Sequence, residues 1–325
     1  MSTTREPSAA GTYGVTAAGD NGRPAVGLDA LRTPSGGFAM VALDQRESLR
    51  EMFPPGPAGE LVGDATLTTF KQTAAGVLSP YASGVLLDHP LGVQRERPGA
   101  LARGCGLVLA ADALHSSRGG GVHGSALDPA VDADLIGSTG AAAIKYLVIW
   151  RRGDRSFVPA LNLFLELADS AGVASFVEGI VRPADEDWAS AEDRHEAILE
   201  AAAELSPGAS VYKAEVPGYQ PGDISGVTGQ AEQLTAVVEG PWVVLSNGIQ
   251  QADFAAAVTS ACAGGAHGFL AGRAIWADTV VEQDVVGALT GRSVARLRAL
   301  TEIVEGARAQ GGHPRRSAAP EGTPP

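Results

Sequence analysis

The sequence predicts an α/β protein with the (β/α)8 TIM barrel fold, as a single domain, from the number, composition and spacing of its apolar runs. Eight short apolar runs recur along the chain, with helical patterns between them. Runs that are apolar throughout and bounded by turn residues are typical of strands buried on both faces of a parallel sheet. Eight βα units over roughly 270 residues match the size and strand count of this barrel.

The eight predicted strands follow one another in order. They are 37–44 (GFAMVALD), 84–88 (GVLLD), 106–110 (GLVLA), 142–150 (AAIKYLVIW), 174–181 (ASFVEGIV), 210–217 (SVYKAEVP), 242–246 (WVVLS) and 268–273 (GFLAGR). Between them, 159–172, 189–206 and 250–266 place apolar residues at the i, i+3, i+4 spacing of amphipathic helices. An open doubly wound sheet is the alternative, but it needs a glycine-rich phosphate turn after its first strand, and DQRESLREMF stands there.

Composition excludes several classes of protein. The net charge is −13 and no basic stripe interleaved with aromatic residues is present, which argues against nucleic-acid binding. No run of 18 or more apolar residues suggests a membrane span. Cys105 and Cys262 lack any paired spacing, so we expect reduced thiols in a cytoplasmic protein. Residues 1–27 and 309–325 are rich in Gly, Pro, Ala and Ser and are predicted to be disordered tails, which leaves 28–308 as the barrel.

Polar and charged side chains stand at the ends of the predicted strands, where barrel enzymes place their active sites. In strand order they are Asp44, Asp88, Lys145, Glu178, Lys213, Ser246 and Arg273. A buried charge without a partner costs several kcal/mol, so these groups need one another. A structural ion-pair network that plugs the barrel remains an alternative to a catalytic site.

The lysines point to imine chemistry. The chain has three, Lys71, Lys145 and Lys213, and the last two lie inside apolar strands, whereas Lys71 is predicted to be a solvated helix residue. An amine attacks a ketone only when neutral, and apolar walls or a second ammonium lower the pKa of a lysine. We therefore predict Lys213 as the nucleophile, Lys145 as the second charge, and Glu178 as the group that moves protons.

An anion-binding cradle is predicted after the last two strands. There LSNGIQ and AGRAIW offer the backbone N–H groups of Gly248 and Gly272, the Ser246 hydroxyl and the Arg273 guanidinium. Phosphate sites are frequent at this position of the barrel.

Several blocks, in order and spacing, resemble the class I aldolases of the tagatose-1,6-bisphosphate aldolase superfamily, most closely the sulfofructosephosphate aldolase branch. They are SGGFAMVALDQRESLREMF, LSPYASGVLLD, KYLVIWR, VYKAEVPGY, PWVVLSNG and GFLAGRAIWA, and the match spans about 35 to 305. The resemblance implies Lys213 as the Schiff-base lysine, Glu178 as the acid/base, Lys145 as a second active-site lysine and Asp44 as the group orienting substrate hydroxyls. The expected substrate and anion pocket comprises Gln45, Arg46, Ser246, Asn247, Gly248, Gly272 and Arg273.

The resemblance also implies a reaction. It is the retro-aldol cleavage of a phosphorylated ketose to dihydroxyacetone phosphate and an aldehyde, without a metal or another cofactor, in a homo-oligomer. The branch implies 6-deoxy-6-sulfofructose 1-phosphate as substrate and 3-sulfolactaldehyde as the aldehyde. Tagatose or fructose 1,6-bisphosphate is the alternative substrate.

Two other classes of function stay open from the sequence. One is a non-catalytic, metabolite-sensing barrel, and the other is a metal-dependent lyase using His89 and His267 near strand ends. GGGVHG (119–124) matches a nucleotide-loop pattern, but it opens no helix and is predicted to be a mobile loop. Asp88 and His89 belong either to the pocket or to a helix cap, and Glu215 shares the strand phase of Lys213 and could face the pocket.

Overall fold

The structure, a computed structural model, describes residues 27–117, 119, 121–183 and 188–311. Its strands are β1 (Phe38–Leu43), β2 (Gly84–Asp88), β3 (Gly106–Ala110), β4 (Asp112–Ser116), β5 (Val122–Leu127), β6 (Ala143–Trp150), β7 (Ala174–Val181), β8 (Val211–Ala214), β9 (Trp242–Val244) and β10 (Gly268–Ala271). Eight of them pair in parallel and close into a barrel in the order β1-β10-β9-β8-β7-β6-β3-β2. The predicted (β/α)8 barrel is confirmed.

Helices alternate with the barrel strands. They are α1 (Glu47–Arg50), α2 (Asp64–Leu78), α3 (Ala133–Thr139), α4 (Val158–Ala171), α5 (Ala191–Leu205), α6 (Val227–Val237), α7 (Phe254–Ala263), α8 (Arg273–Trp276), α9 (Val285–Ala288) and α10 (Val294–Gly311). Within the described ranges, none of these helices is long and apolar enough to cross a membrane. The predicted tails fall almost wholly outside the described residues, and α10 continues to Gly311.

The half of the barrel interior at the amino-terminal ends of the strands is apolar. Phe38, Met40 and Phe176 point into it, and Leu28 and Leu31, on a 3₁₀ helix before β1, belong to the same buried cluster. A side chain at Gly106 would lie 2.6 Å from the carbonyl oxygen of Ala30, so glycine is required where this helix approaches β3. Because the amino-terminal end is filled in this way, the polar groups are left to the carboxyl-terminal end.

The chain after β3 forms a hairpin, and the last three residues of the predicted loop 119–124 belong to its second strand. β4 and β5 pair antiparallel, with Asp112 opposite Leu127 and His115 opposite Gly124. Leu114 and Val122 pack on an apolar cluster at the ends of the barrel strands. This tertiary contact outweighs the glycine-rich composition that favoured an irregular loop.

Lys71 is buried, and the prediction of a solvated residue is wrong. Its side chain is 0% exposed and forms an ion pair with Asp88 at the end of β2. Asp88 also lies 3.3 Å from Nε of Arg46, so it belongs to a buried ion network beside the pocket. Burial lowers the pKa of Lys71 and raises that of Asp88, although each group favours the charge of the other.

Lys71→Met should lower the free energy of unfolding by about 3–5 kcal/mol, because it leaves Asp88 with a single cationic partner in a buried site. Urea unfolding followed by tryptophan fluorescence measures the change. Thr69→Met, on the exposed face of the same helix, is the matched control and should cost within about 0.5 kcal/mol. A cost for Lys71→Met no larger than that of the control would contradict a stabilising role for the ion pair.

Candidate active site

A cavity of about 760 Å³, including its open mouth, lies at the carboxyl-terminal end of the barrel. Most of the site residues predicted from the sequence line it. They are Asp44, Gln45, Glu178, Lys213, Ser246, Asn247, Gly272 and Arg273. Residues that follow β1, β9 and β10 thus meet side chains of β7 and β8 around one space, as the strand-end argument predicts.

Three of the predicted residues do not line this cavity. Lys145 is fully buried among carboxylates next to the cavity. The side chain of Arg46 turns away from the cavity toward Asp88 and Asp112. Gly248 lies in a turn after β9 with a φ of 76°, which favours glycine.

Lys145 is held by three carboxylates. Its Nζ lies 2.7 Å from Asp44 Oδ2, 2.9 Å from Asp112 Oδ2 and 3.0 Å from Glu178 Oε2. Burial would lower the pKa of this lysine, but the three negative charges outweigh it and raise the pKa well above the ordinary value. The site therefore favours the ammonium form of Lys145.

Asp44, one of the three carboxylates around Lys145, is stabilised in its ionised form. Burial would raise its pKa, but the ammonium groups of Lys145 and Lys213 hold the pKa well below the ordinary value. Its Oδ1 also accepts a hydrogen bond of 3.3 Å from Nε2 of Gln45. Asp44 is an ionised acceptor at the edge of the cavity.

Lys213 has a different environment. It lines the cavity, is 3% exposed, and its Nζ lies 2.9 Å from Oε2 of Glu178. Among the described residues, Glu178 is the single carboxylate within ion-pair distance of Lys213, whereas Lys145 has three such carboxylates. Glu178 Oε2 therefore bridges the two lysines.

The strand register sets the depths of these groups. Glu178 on β7 is level with Lys213 on β8, while Lys145 on β6 is level with Phe176. Lys145 therefore sits two residues deeper in the barrel than the Glu178–Lys213 pair. The deeper lysine is shielded by carboxylates, and the shallower one meets the cavity.

Asp112 is an essential part of the site that the strand-end reading missed. It lies two residues beyond the end of β3, and its Oδ2 accepts hydrogen bonds from Lys145 Nζ at 2.9 Å and from the backbone N–H of Leu147 at 3.1 Å. Its Oδ1 lies 3.3 Å from Nη1 of Arg46. The sequence does show an acidic residue just after the apolar run of β3, but Asp112 lies outside that run and was not predicted as a site residue.

These contacts join into one buried chain of alternating charges. Cations and carboxylates alternate along it, and Asp44 adds a fourth carboxylate beside Lys145. In order, the members of the chain are Lys71, Asp88, Arg46, Asp112, Lys145, Glu178 and Lys213. Four cations thus face four carboxylates, which is the balance that burial requires.

Three of the four groups predicted as an anion cradle, Ser246, Gly272 and Arg273, lie together at the ends of β9 and β10, whereas Gly248 does not line the cavity. The backbone N–H of Gly272 donates to Oγ of Ser246 at 3.3 Å, and Nη2 of Arg273 donates to Oδ1 of Asn247 at 2.5 Å. A side chain at Gly272 would lie 2.6 Å from the carbonyl oxygen of Ala42, so glycine is needed for this close packing. No ion pair of Arg273 with a described carboxylate occurs, and its charge is available to an anion.

The far wall of the cavity holds further residues that the sequence did not flag. Arg182, one residue after β7, lines it together with apolar side chains. These are Leu114, Val122, Leu147, Ile149, Ile180 and Leu245. Glu215 does not line the cavity, since its oxygens accept hydrogen bonds from Arg194 and from the backbone N–H of Val181. Within the described part of the chain, no group of three or more His, Cys, Asp or Glu side chains is arranged to hold a metal ion.

Comparisons with known proteins agree with this architecture. The chain is 28% identical over 284 residues to tagatose 1,6-diphosphate aldolase 1 of Streptococcus pyogenes serotype M1, covering 75% of this chain and 82% of that protein. It is 38% identical over 85 residues to tagatose 1,6-diphosphate aldolase 2 of Enterococcus faecalis, covering 26% of this chain and 24% of that protein.

Solved structures share the fold. An archaeal fructose-1,6-bisphosphate aldolase, with its catalytic lysine covalently bound to a carbinolamine intermediate, matches with a TM-score of 0.56 at 16% identity, over 86% of this chain and 98% of that one. The Plasmodium falciparum fructose-bisphosphate aldolase matches with a TM-score of 0.63 at 14% identity, over 87% of this chain and 94% of that one.

The family-level comparison covers most of the barrel. Residues 38–278 match the model of the DeoC/LacD family aldolases, from the start of β1 to just beyond α8. This range includes every lysine and carboxylate of the buried chain. The protein is therefore a member of the DeoC/LacD aldolase family.

Proposed function

We propose that this protein is a Schiff-base-forming class I aldolase that cleaves a phosphorylated ketose to dihydroxyacetone phosphate and an aldehyde, with Lys213 as the nucleophile. The observation that carries the proposal is the difference between the two lysines. Lys145 has three carboxylates around its Nζ, while Lys213 shares one carboxylate with it and lines the cavity. Of the two, Lys213 is the amine with fewer carboxylates around it and with access to a ketone in the cavity.

Formation of the imine uses Lys213 and Glu178. Glu178 first takes a proton from the ammonium of Lys213. The neutral Nζ then attacks C2 of the ketose, a C–N bond forms as the C=O π bond opens, and a proton passes from the nitrogen to the former carbonyl oxygen to give a carbinolamine. Glu178, whose Oε2 lies 2.9 Å from Nζ of Lys213, then donates a proton to the leaving hydroxyl. Water departs and an iminium remains.

Cleavage uses the iminium as an electron sink. The C4 hydroxyl proton passes to a carboxylate, the C3–C4 bond breaks, and its electron pair moves into the iminium to give an enamine while the aldehyde leaves. Protonation at C3 and hydrolysis release dihydroxyacetone phosphate and free Lys213. Glu178 is the proposed base, because it gave up its proton in the preceding step.

Binding and orientation fall to the remaining polar residues of the cavity. Asp44 is ionised and accepts hydrogen bonds from substrate hydroxyls, and Oε1 of Gln45, which is buried without a partner in the described structure, adds a further acceptor. The phosphate at C1 lies in the cradle of Ser246 and Arg273. Arg273 carries a forked set of donors suited to phosphate oxygens.

Two substrates are proposed. The leading one is 6-deoxy-6-sulfofructose 1-phosphate, which the blocks of the sequence that resemble the sulfofructosephosphate aldolase branch favour. Tagatose 1,6-bisphosphate is the second, and the Streptococcus relatives support it. Side-by-side turnover of the two compounds, measured as release of dihydroxyacetone phosphate, separates them.

The enzyme is proposed to act in the cytoplasm as a homo-oligomer. The free thiols Cys105, which is buried, and Cys262 are consistent with the reducing cytoplasm. A homo-oligomer follows from the family resemblance. A metal-dependent lyase predicts loss of turnover in EDTA, and a metabolite sensor predicts binding without release of dihydroxyacetone phosphate.

Borohydride reduction in the presence of dihydroxyacetone phosphate should leave a stable adduct on the tryptic peptide that contains Lys213, detected by mass spectrometry. Lys213→Arg should form no adduct and should lose all measurable turnover, because a guanidinium stays protonated. Circular dichroism controls for folding. An adduct on the Lys145 peptide would reassign the nucleophile, and no adduct from folded wild-type protein would overturn the imine mechanism.

Glu178→Gln should slow cleavage by about 10²–10⁴-fold, since an amide can neither give nor take the proton. The reduced adduct on Lys213 should also form more slowly than in the wild type, because Glu178 protonates the leaving hydroxyl during imine formation, and quenched-flow sampling with borohydride measures both rates. Loss of the adduct together with loss of folding would mark a structural role. A cleavage rate equal to that of the wild type would remove Glu178 from proton transfer.

Arg273→Ala should raise KM by about 10- to 100-fold, because a charge-assisted hydrogen bond to the phosphate is lost. Steady-state kinetics on a ketose 1-phosphate measure it. Arg152→Ala removes a guanidinium that pairs with Glu200 outside the cavity and serves as the control. A KM unchanged by Arg273→Ala would place the C1 phosphate elsewhere.

A further inference from the structure

Lys71 lies on α2, outside the cavity, yet it stands at the far end of the buried chain of charges that reaches Lys213. Its side chain is 0% exposed, and its Nζ pairs with Oδ1 of Asp88. Replacing a buried ion pair by well-packed apolar residues is often neutral or stabilising, so stability alone does not account for a lysine here. The contacts that continue from this pair lead toward the active site.

Asp88 and Arg46 make the next two links. Oδ2 of Asp88 accepts a hydrogen bond of 3.3 Å from Nε of Arg46, and Nη1 of Arg46 lies 3.3 Å from Oδ1 of Asp112. The side chain of Arg46 is only 16% exposed, so solvent screens these contacts weakly. Asp112 then contacts Lys145, whose Nζ lies 3.0 Å from Oε2 of Glu178. A continuous series of ion pairs therefore joins α2 to the cavity.

This chain transmits charge rather than protons. A guanidinium keeps its proton in a protein, so Arg46 interrupts any path of proton transfer. Nη1 of Arg46 and Oδ1 of Asp112 are buried without a hydrogen bond in the described structure, so electrostatic attraction holds this link. Such attraction is stronger in a buried site than in water, because the effective dielectric constant is lower. A charge removed at Lys71 therefore acts on the groups beyond Arg46.

Three charged groups act on the ammonium of Lys71. Burial lowers the pKa of this lysine and Arg46 adds to that effect, whereas the carboxylates of Asp88 and Asp44 oppose it. Asp44 lines the cavity. The charge of Lys71 therefore acts on the active site through Asp44 as well as along the chain.

Charged groups from the neighbouring elements face Lys213 at the other end. Glu178 of β7 lies 2.9 Å from its Nζ, and Asp44, which follows β1, is attracted by its ammonium. Lys145 of β6 shares Glu178 with it. Arg273, which follows β10, attracts both carboxylates. The balance of charge around Lys213 is therefore set by several groups at once, and a change at one of them affects the others.

We infer that Lys71 is a positioning residue of the aldolase, whose charge acts through Asp88 and Arg46 to set the pH range in which the site is active. The inference rests on the proposed function and deepens it. The four cations match four carboxylates only while Lys71 is charged, and Lys71→Met leaves three cations against four carboxylates. The excess negative charge favours the protonated form of the Lys213–Glu178 pair, so a higher pH is needed to remove its proton.

Three variants form a charge cycle that tests the inference. Lys71→Met removes a cation, Asp88→Asn removes a carboxylate, and the double variant removes both and restores the balance. The midpoint of the rise of kcat/KM with pH, measured on 6-deoxy-6-sulfofructose 1-phosphate, should move by about 0.5–1 pH unit upward in Lys71→Met and downward in Asp88→Asn. The double variant should return to within about 0.2 unit of the wild type, because the two changes cancel.

Opposite movements are the result that a merely structural role does not produce. Equal midpoints in all four proteins, or shifts of the same sign in both single variants, would overturn the inference. If Lys71→Met fails to fold, Asp88→Asn and the double variant still decide, since adding Lys71→Met to Asp88→Asn must bring the midpoint back. A midpoint that stays at the Asp88→Asn value would overturn the inference.

Arg296→Met is the matched control, because it removes a half-buried guanidinium that pairs with Asp278 outside the chain. The side chain of Asp278 is 33% exposed, so solvent screens the change and the midpoint should stay within about 0.2 unit of that of the wild type. An equal shift in Arg296→Met and in Lys71→Met would show that the overall charge of the protein sets the midpoint, and would overturn the inference.

Reductive methylation of Lys213 with formaldehyde and cyanoborohydride separates this inference from the proposed function. The neutral Nζ attacks formaldehyde, water leaves, and a hydride from cyanoborohydride with a proton from solvent reduces the imine to a methylamine. Mass spectrometry of the peptide that contains Lys213 gives the rate at each pH without any sugar substrate.

If the wild type forms no borohydride adduct with dihydroxyacetone phosphate, the class I mechanism fails. Opposite shifts of the methylation midpoint in Lys71→Met and Asp88→Asn would still support the effect of Lys71 on the site. Unshifted methylation in both variants would overturn that effect even where the adduct forms.

Discussion

The ammonium of Lys145 and its three carboxylates are the constraint on which the site depends. A fully buried charge is tolerated only with close partners, and Asp44, Asp112 and Glu178 supply them from β1, β3 and β7 or the residues just after these strands. The same contacts fix these carboxylates around a single point. Lys213 is thereby left with a shared partner, and the roles proposed for two chemically identical side chains differ because their neighbours differ.

Charge balance links this centre to the outer shell of the barrel. Arg46 contacts both Asp112 and Asp88, and Asp88 pairs with Lys71 on α2. α2 is therefore connected to the active site by ion pairs as well as by apolar packing. By contrast, Arg182 and Arg273 form no ion pair with a carboxylate in the part of the chain that the structure describes.

The sequence was informative where local patterns coincide with burial. Continuous apolar runs predicted the barrel strands. The charged residues of these runs, among them Lys145, Glu178 and Lys213, predicted where the polar site lies. It failed where a residue lay outside such a run. Lys71 on a helix and Asp112 beyond β3 carry no pattern of their own, because the partner that holds each one is distant in sequence. β4 and β5, which flank the glycine-rich segment, form a hairpin because they pack on strands that follow them in the chain.

The sequence by itself determined the fold, the lysine and carboxylate side chains available for chemistry, and the strands that carry them, since periodicity and composition are local properties. Only the tertiary structure decided which lysine is shielded and which is open. That outcome depends on the register of β6 against β7, which sets Lys145 two residues deeper than Lys213. Register arises from pairing between strands distant in the chain, and a shift of one residue would turn these side chains to the other face of the sheet.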